Sequence, residues 1–184
     1  MMKNAFFEFI GLLGYDDDIA HKMAALFDSL TGDRKLFGEF LLKECDGDEE
    51  SLASLFHADF EDDELALNYW VVSYLFDNLI EYYRDDYKID YDNLSEYISE
   101  QIGQTFQVSY EEYNKIHRQN NQFNVFSDDF ITSFRYVCQQ LENQSEFTLL
   151  HVLSGNDDVN YFVIDKANKP RLFTLADELG LVVE

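Results

Sequence analysis

The chain has 184 residues, and its 37 Asp and Glu against 13 Lys and Arg leave a formal net charge of −24 and a pI near 4.2. That balance excludes a protein that itself neutralises phosphate, because binding to nucleic acid or to an anionic bilayer needs Lys and Arg. A hydrophobic content of 46%, with 17 Phe and 12 Tyr, excludes a disordered acidic tail and predicts a core built largely on rings.

In chain order, Phe6, Phe9, Ile10 and Leu13 recur at helical spacing, and Gly14 closes this first helix. Asp16, Asp17 and Asp18 offer a cap and dipole-favoured charges to a second helix, with Ile19, Met23, Leu26, Phe27 and Leu30 inward, broken at Thr31-Gly32-Asp33. Leu36, Phe37, Phe40 and Leu41 mark a third helix ending near Asp46-Gly47, and Leu52, Leu55 and Phe56 a short fourth. From Asp62 to Arg84 the apolar positions Leu65, Tyr69, Val72, Phe76, Leu79 and Tyr83 alternate in steps of four and three, which predicts the longest helix. Tyr87–Tyr91 reads as a strand, and Asp92 as the cap of a helix holding Leu94, Tyr97, Ile98 and Ile102.

Phe106–Val108 fits a brief strand or a loop. Ser109-Tyr-Glu-Glu112 has the spacing of a capping box and starts a further short helix. A Gln- and Asn-rich loop over 118–124 leads to Ser127, which caps a helix with Phe130, Ile131, Phe134, Val137, Cys138 and Leu141 inward. Phe147–Leu153 and Val159–Ile164 are β-branched and aromatic runs joined by Ser-Gly-Asn-Asp-Asp, a hairpin signal. Pro170 suits the first position of a closing helix with Leu172, Leu175, Ala176 and Leu179 on one face, Gly180 stops it, and Leu181–Val183 forms one more strand.

This order predicts one α+β domain over 1–184: a helical portion over 1–60 packed on a small mixed sheet, with the helix and sheet portion over 62–184. If the last strand lies parallel to its neighbour, the connection through the Pro170 helix is a right-handed crossover.

The search for chemistry returns little. There is no G-x-S-x-G, H-E-x-x-H, phosphate-binding loop or G-x-G-x-x-G, and His21, His57, His117 and His151 are scattered. Asp46-Gly-Asp-Glu-Glu50 resembles the start of a calcium loop, but Ser51 and His57 stand where that loop needs Gly and Glu. Cys45 and Cys138 form no C-x-x-C, and Cys138 reads as a small core residue. Glu8 interrupts the apolar N-terminal run, so no signal peptide is expected, and no run is long enough for a membrane span. The expectation is a cytoplasmic protein with no cofactor, no metal and no catalytic residue.

Charge is distributed unevenly. Residues 1–100 carry 25 Asp and Glu against 7 Lys and Arg, and residues 101–184 carry 12 against 6. Between Glu44 and Glu64 there are ten carboxylates and no basic residue, more than helix capping requires. Like charges at this density repel one another, a cost that a basic partner would offset.

The stretch Leu149–Ile164, followed by Leu175-Ala-Asp-Glu-Leu-Gly180, resembles a bacterial family catalogued as domain of unknown function 6630. Lys88-Ile-Asp-Tyr-Asp-Asn-Leu94 resembles that family's strand-to-helix step. The resemblance implies a small α+β fold and a bacterial origin, and brings no activity or catalytic residue with it.

The resulting expectation is a non-enzymatic acidic inhibitor of the immunity or antitoxin type that masks a basic partner, such as a nuclease toxin or another nucleic-acid-binding protein. Asp59, Glu61, Asp62, Asp63 and Glu64 are the expected contacts, with Tyr82 and Tyr83 as anchors. Two alternatives stand beside it: a DNA mimic that blocks a defence protein, and an enzyme using scattered carboxylates with His151 and Asp157.

Overall fold

A computed structural model of the chain describes residues 2–33, 35–39, 71–72, 74–76, 80, 82–85, 89–119, 129–153 and 159–184. These residues group into two compact units, one formed by Met1–Glu81 with Arg171–Val182, the other by Tyr82–Pro170 with Val183–Glu184. The expected third helix beyond residue 39, the fourth helix, the Ser127 cap and the hairpin turn at 154–158 lie outside the described residues.

In the first unit, α1 (Met2–Leu12) and α2 (Asp17–Gly32) are packed together and joined by a short turn in which Gly14 adopts φ 98°. That left-handed conformation is one glycine reaches without Cβ strain. Asp16 caps α2 as its position predicts, accepting a hydrogen bond from Ile19 N at 2.9 Å. Phe6 and Phe27 stack across the pair with centroids 4.5 Å apart, and both are fully buried. Burial of each contributes roughly 1.5–3 kcal/mol. Asp33 ends α2 and starts the next helical stretch, since its carboxylate accepts from Lys35 N and Leu36 N.

The closing helix α6 (Lys169–Leu179) belongs to this unit from Arg171 onward and buries Leu172, Leu175, Ala176 and Leu179, the face read from the sequence. It begins one residue before Pro170, after a 3-10 turn whose Asp165 cap accepts from Ala167 N at 2.7 Å. Gly180, with φ 71°, ends it. Arg171 forms a two-pronged pair with Glu8 of α1, at 2.6 and 2.7 Å. The guanidinium hydrogen bond holds the Glu8 carboxyl below its ordinary value.

The second unit contains a three-stranded sheet in the order β1 (Tyr83–Asp85), β3 (Val159–Asp165), β2 (Phe147–Leu153). β2 and β3 pair in full register from Phe147↔Asp165 to Leu153↔Val159. Over one face lie α3 (Tyr91–Ile102), α4 (Tyr110–Gln119) and α5 (Asp129–Gln144), whose Leu94, Ile98, Tyr113, Phe134, Val137 and Leu141 close a core with Leu149 and Tyr161.

The α+β class holds, and five details of the sequence reading are corrected. Every pairing among the described strands is antiparallel, where a mixed sheet was expected. The Leu181–Val183 segment contributes one antiparallel bridge, Val152↔Val183, rather than a parallel crossover strand. Tyr83 and Arg84 lie in β1, paired with Tyr161 and Asn160, and not at the end of the long helix, of which only 71–72 and 74–76 are described as helical. The expected strand over Tyr87–Tyr91 is absent at its described end, because Asp90 caps α3 and Tyr91 opens it. Asp90, not Asp92, is therefore the cap: its carboxylate accepts from Asp92 N and Asn93 N at 3.1 Å each.

Candidate functional site

An open groove of about 370 Å3 is lined by Ile89, Asp90, Tyr91, Asp92, Ser109, Tyr110 and Glu111. Two small hydroxyls create it. Ser99 Oγ accepts from Phe106 N at 2.9 Å, and Ser95 Oγ, one turn earlier on α3, accepts from Val108 N at 3.2 Å. After Gly103 turns the chain with φ 66°, these bonds lay residues 106–108 back along α3. Of the brief strand and the loop expected for it, the segment forms the loop, and the two serines of the helix satisfy the Phe106 and Val108 N–H groups. Its path brings the cap of α4 beside the cap of α3. Ser109 Oγ then accepts from Glu112 N at 3.2 Å, the hydroxyl half of the expected capping box.

Tyrosines build the wall. Tyr110 is 61% exposed, whereas Tyr91, Tyr113 and Tyr136 are buried. The rings form a continuous run: Tyr110 lies 6.0 Å from Tyr91 and 6.3 Å from Tyr113, and Tyr113 lies 5.6 Å from Tyr136. Burial, and then the nearby Glu112 charge, push the Tyr136 hydroxyl above its ordinary pKa, so it stays protonated at neutral pH.

The groove is acidic. Asp90 is engaged as a cap, and its second oxygen accepts from Asn93 Nδ2 at 2.9 Å. Each helix N-terminus carries about half a positive charge, so the two ends contribute roughly one. The three carboxylates of Asp90, Asp92 and Glu111 outweigh it, and no basic side chain is among the residues lining the groove.

Of the expected partner contacts, the structure describes only Tyr82 and Tyr83. Asp59, Glu61, Asp62, Asp63 and Glu64, with the rest of the Glu44–Glu64 cluster, lie outside the described residues, as do Cys45, His57 and Asp157. Tyr82 and Tyr83 are half-buried at β1 and do not reach the groove. Tyr82 packs on Phe162 at 5.6 Å, and Tyr83 lies against Tyr97 at 5.3 Å and Tyr161 at 5.9 Å. The groove is visible in the sequence only in part: the Ser109 cap is legible, the α3 cap is expected at Asp92 rather than Asp90, and nothing in the spacing says that the two caps meet.

None of the other candidate groups lines the groove. His151 is 2% exposed on β2, between the rings of Phe134 and Tyr161, each 5.9 Å away. Burial pushes its pKa down to about 4, so it is neutral at pH 7, and its Nδ1, 3.9 Å from Glu184 Oε2, forms no ion pair there. His21 bonds through Nδ1 to the Asp17 carbonyl at 2.7 Å within α2. The free thiol of Cys138 is buried and raised to about 11, chiefly by desolvation, which disfavours the reactive thiolate. Among the described residues, no three His, Cys, Asp or Glu side chains are grouped to hold a metal ion, and no helix is long and apolar enough to cross a membrane.

Comparison with protein-family models, with curated proteins and with solved structures finds no match to this chain.

Proposed function

We propose that this chain is a non-enzymatic acidic binding protein of the immunity or antitoxin type, which inhibits a basic partner by covering its active or nucleic-acid-binding face. The observation that carries the reading is the net charge of −24, with ten carboxylates and no basic residue between Glu44 and Glu64. A surface so charged steers basic proteins toward it and speeds their encounter. The acidic groove beside α3 and α4 supports the same reading, because it adds aromatic area to carboxylates. The likeness to domain of unknown function 6630 remains a proposed kinship that assigns no activity, and the cytoplasm remains the proposed location.

The test is isolation of a stoichiometric complex with one basic protein, followed by assay of that protein's own activity when bound. Replacing Asp59, Glu61, Asp62, Asp63 and Glu64 together by lysine is expected to slow association by roughly ten- to a thousandfold at low salt. An affinity that survives these reversals rejects the electrostatic reading. Competition by duplex DNA for the same face of the partner would favour the DNA-mimic version.

A further inference from the structure

We infer that Val183 and Glu184 form a strap on the outer edge of β2 that acid releases, with the buried His151 imidazole beside it as the trigger. This device is independent of which partner the chain binds. β2 is an outer strand of the described sheet, and the strap joins it by two rungs. Val152 bridges Val183, and His151 exchanges both backbone hydrogen bonds with Glu184, at 2.9 Å each. The residue before the strap, Val182, is 53% exposed and belongs with α6 to the first unit, whereas Val183 and Glu184 belong to the second. So short a ladder beside an exposed residue opens far more readily than the seven-pair ladder of β2 and β3.

Directly paired antiparallel residues carry their side chains on one face, which sets the Glu184 carboxylate beside His151, with Oε2 3.9 Å from Nδ1. Phe134 of α5 and Tyr161 of β3 stand against the ring, and of these three neighbours only Glu184 brings a carboxylate. The Cys138 thiol of α5 is turned to the Leu149 carbonyl, two residues along the strand. Phe134 and Tyr161 are fixed in the core, so the strap is the wall that can leave.

Protonation of His151 has two opposed effects. An imidazolium attracts Glu184, which would hold the strap, and it loses hydration when buried, which would release it. Burial prevails in the closed form, because desolvation pushes the His151 pKa from 6.5 down to about 4. Opening admits water to the ring and returns it toward 6.5. The closed form is therefore favoured above pH 6.5 and loses ground as pH falls toward 4. Between pH 7 and pH 5 the opening constant rises by up to roughly twentyfold.

The test is amide hydrogen exchange of the full 15N-labelled chain at pH 7 and pH 5, with each rate compared to the intrinsic rate at that pH. The His151 and Glu184 N–H groups are bonded to each other's residue across the strap, so their protection reports its closure. Their protection is expected to fall by up to roughly twentyfold at pH 5. Leu150 and Val152, whose N–H groups point the other way, toward β3, should keep theirs. In His151→Phe the fall should disappear, and in Glu184→Gln it should persist. Equal protection at the two pH values, or a parallel loss at Leu150 and Val152, would overturn the strap. So would protection that rises in acid and ceases to rise in Glu184→Gln, since the ion pair would then outweigh burial.

Discussion

His151 is a base that its surroundings keep uncharged. Phe134 from α5 and Tyr161 from β3 flank the imidazole, and the Glu184 side chain stands 3.9 Å from Nδ1. Because the folded pKa is about 4 and the unfolded value 6.5, the unfolded chain binds more protons between these limits. The contribution to stability is therefore complete above pH 6.5 and is lost as pH falls toward 4, by about 3 kcal/mol in total. Denaturant melts of His151→Phe should show a shallower loss of stability across this window than the parent. Equal slopes for the two proteins would mean that His151 is not held neutral.

At the scale of elements, the groove depends on a loop fastened to a helix by two serines. Ser95 is buried, donates to the Tyr91 carbonyl at 2.6 Å and accepts from Val108 N. Ser95→Ala leaves that buried N–H without its partner, a loss of about 1–3 kcal/mol. Faster hydrogen exchange at Val108 and altered Tyr110 shifts are expected with it, while α1 and α2 stay as they were. If Val108 remains protected, the loop is held by its apolar residues alone.

The same elements show what a sequence can and cannot disclose. The β2–β3 hairpin and α6 were legible because their apolar residues repeat at two and at 3.6, with Pro170 and Gly180 as punctuation. β1 was not: Tyr83 continues the spacing of the preceding apolar positions, and only pairing with Tyr161 makes it a strand. Tyr87, Ile89 and Tyr91 alternate like a strand, yet one cap at Asp90 turns Tyr91 into the start of a helix. The groove was least legible, since Ser95 and Ser99 bond to a segment that follows them in the chain but leave no periodic trace.

At the scale of the molecule, charge opposes compactness. Thirteen basic residues cannot neutralise thirty-seven acidic ones, so folding brings like charges closer than they lie in the unfolded chain. Added salt shortens the screening length from about 30 Å at 0.01 M to about 8 Å at 0.15 M. The melting temperature should therefore rise over that range, and a fall would show that attractive pairs such as Arg171–Glu8 outweigh the repulsion. The Arg171–Glu8 pair can be followed separately by titrating the Glu8 carboxyl. Its pKa is expected to climb back toward the ordinary value in Arg171→Gln.

That pair joins residues 163 positions apart, and the unit it closes is interrupted by nearly the whole of the other. On a ribosome the order of events follows from this. At about 5–20 residues per second, some five to twenty seconds separate the emergence of residue 81 from that of residue 171. Throughout that interval α1 and α2 exist without the helix that completes their unit. The part of the chain begun first waits for a helix made near the end, and its high negative charge, which resists self-association, guards it meanwhile.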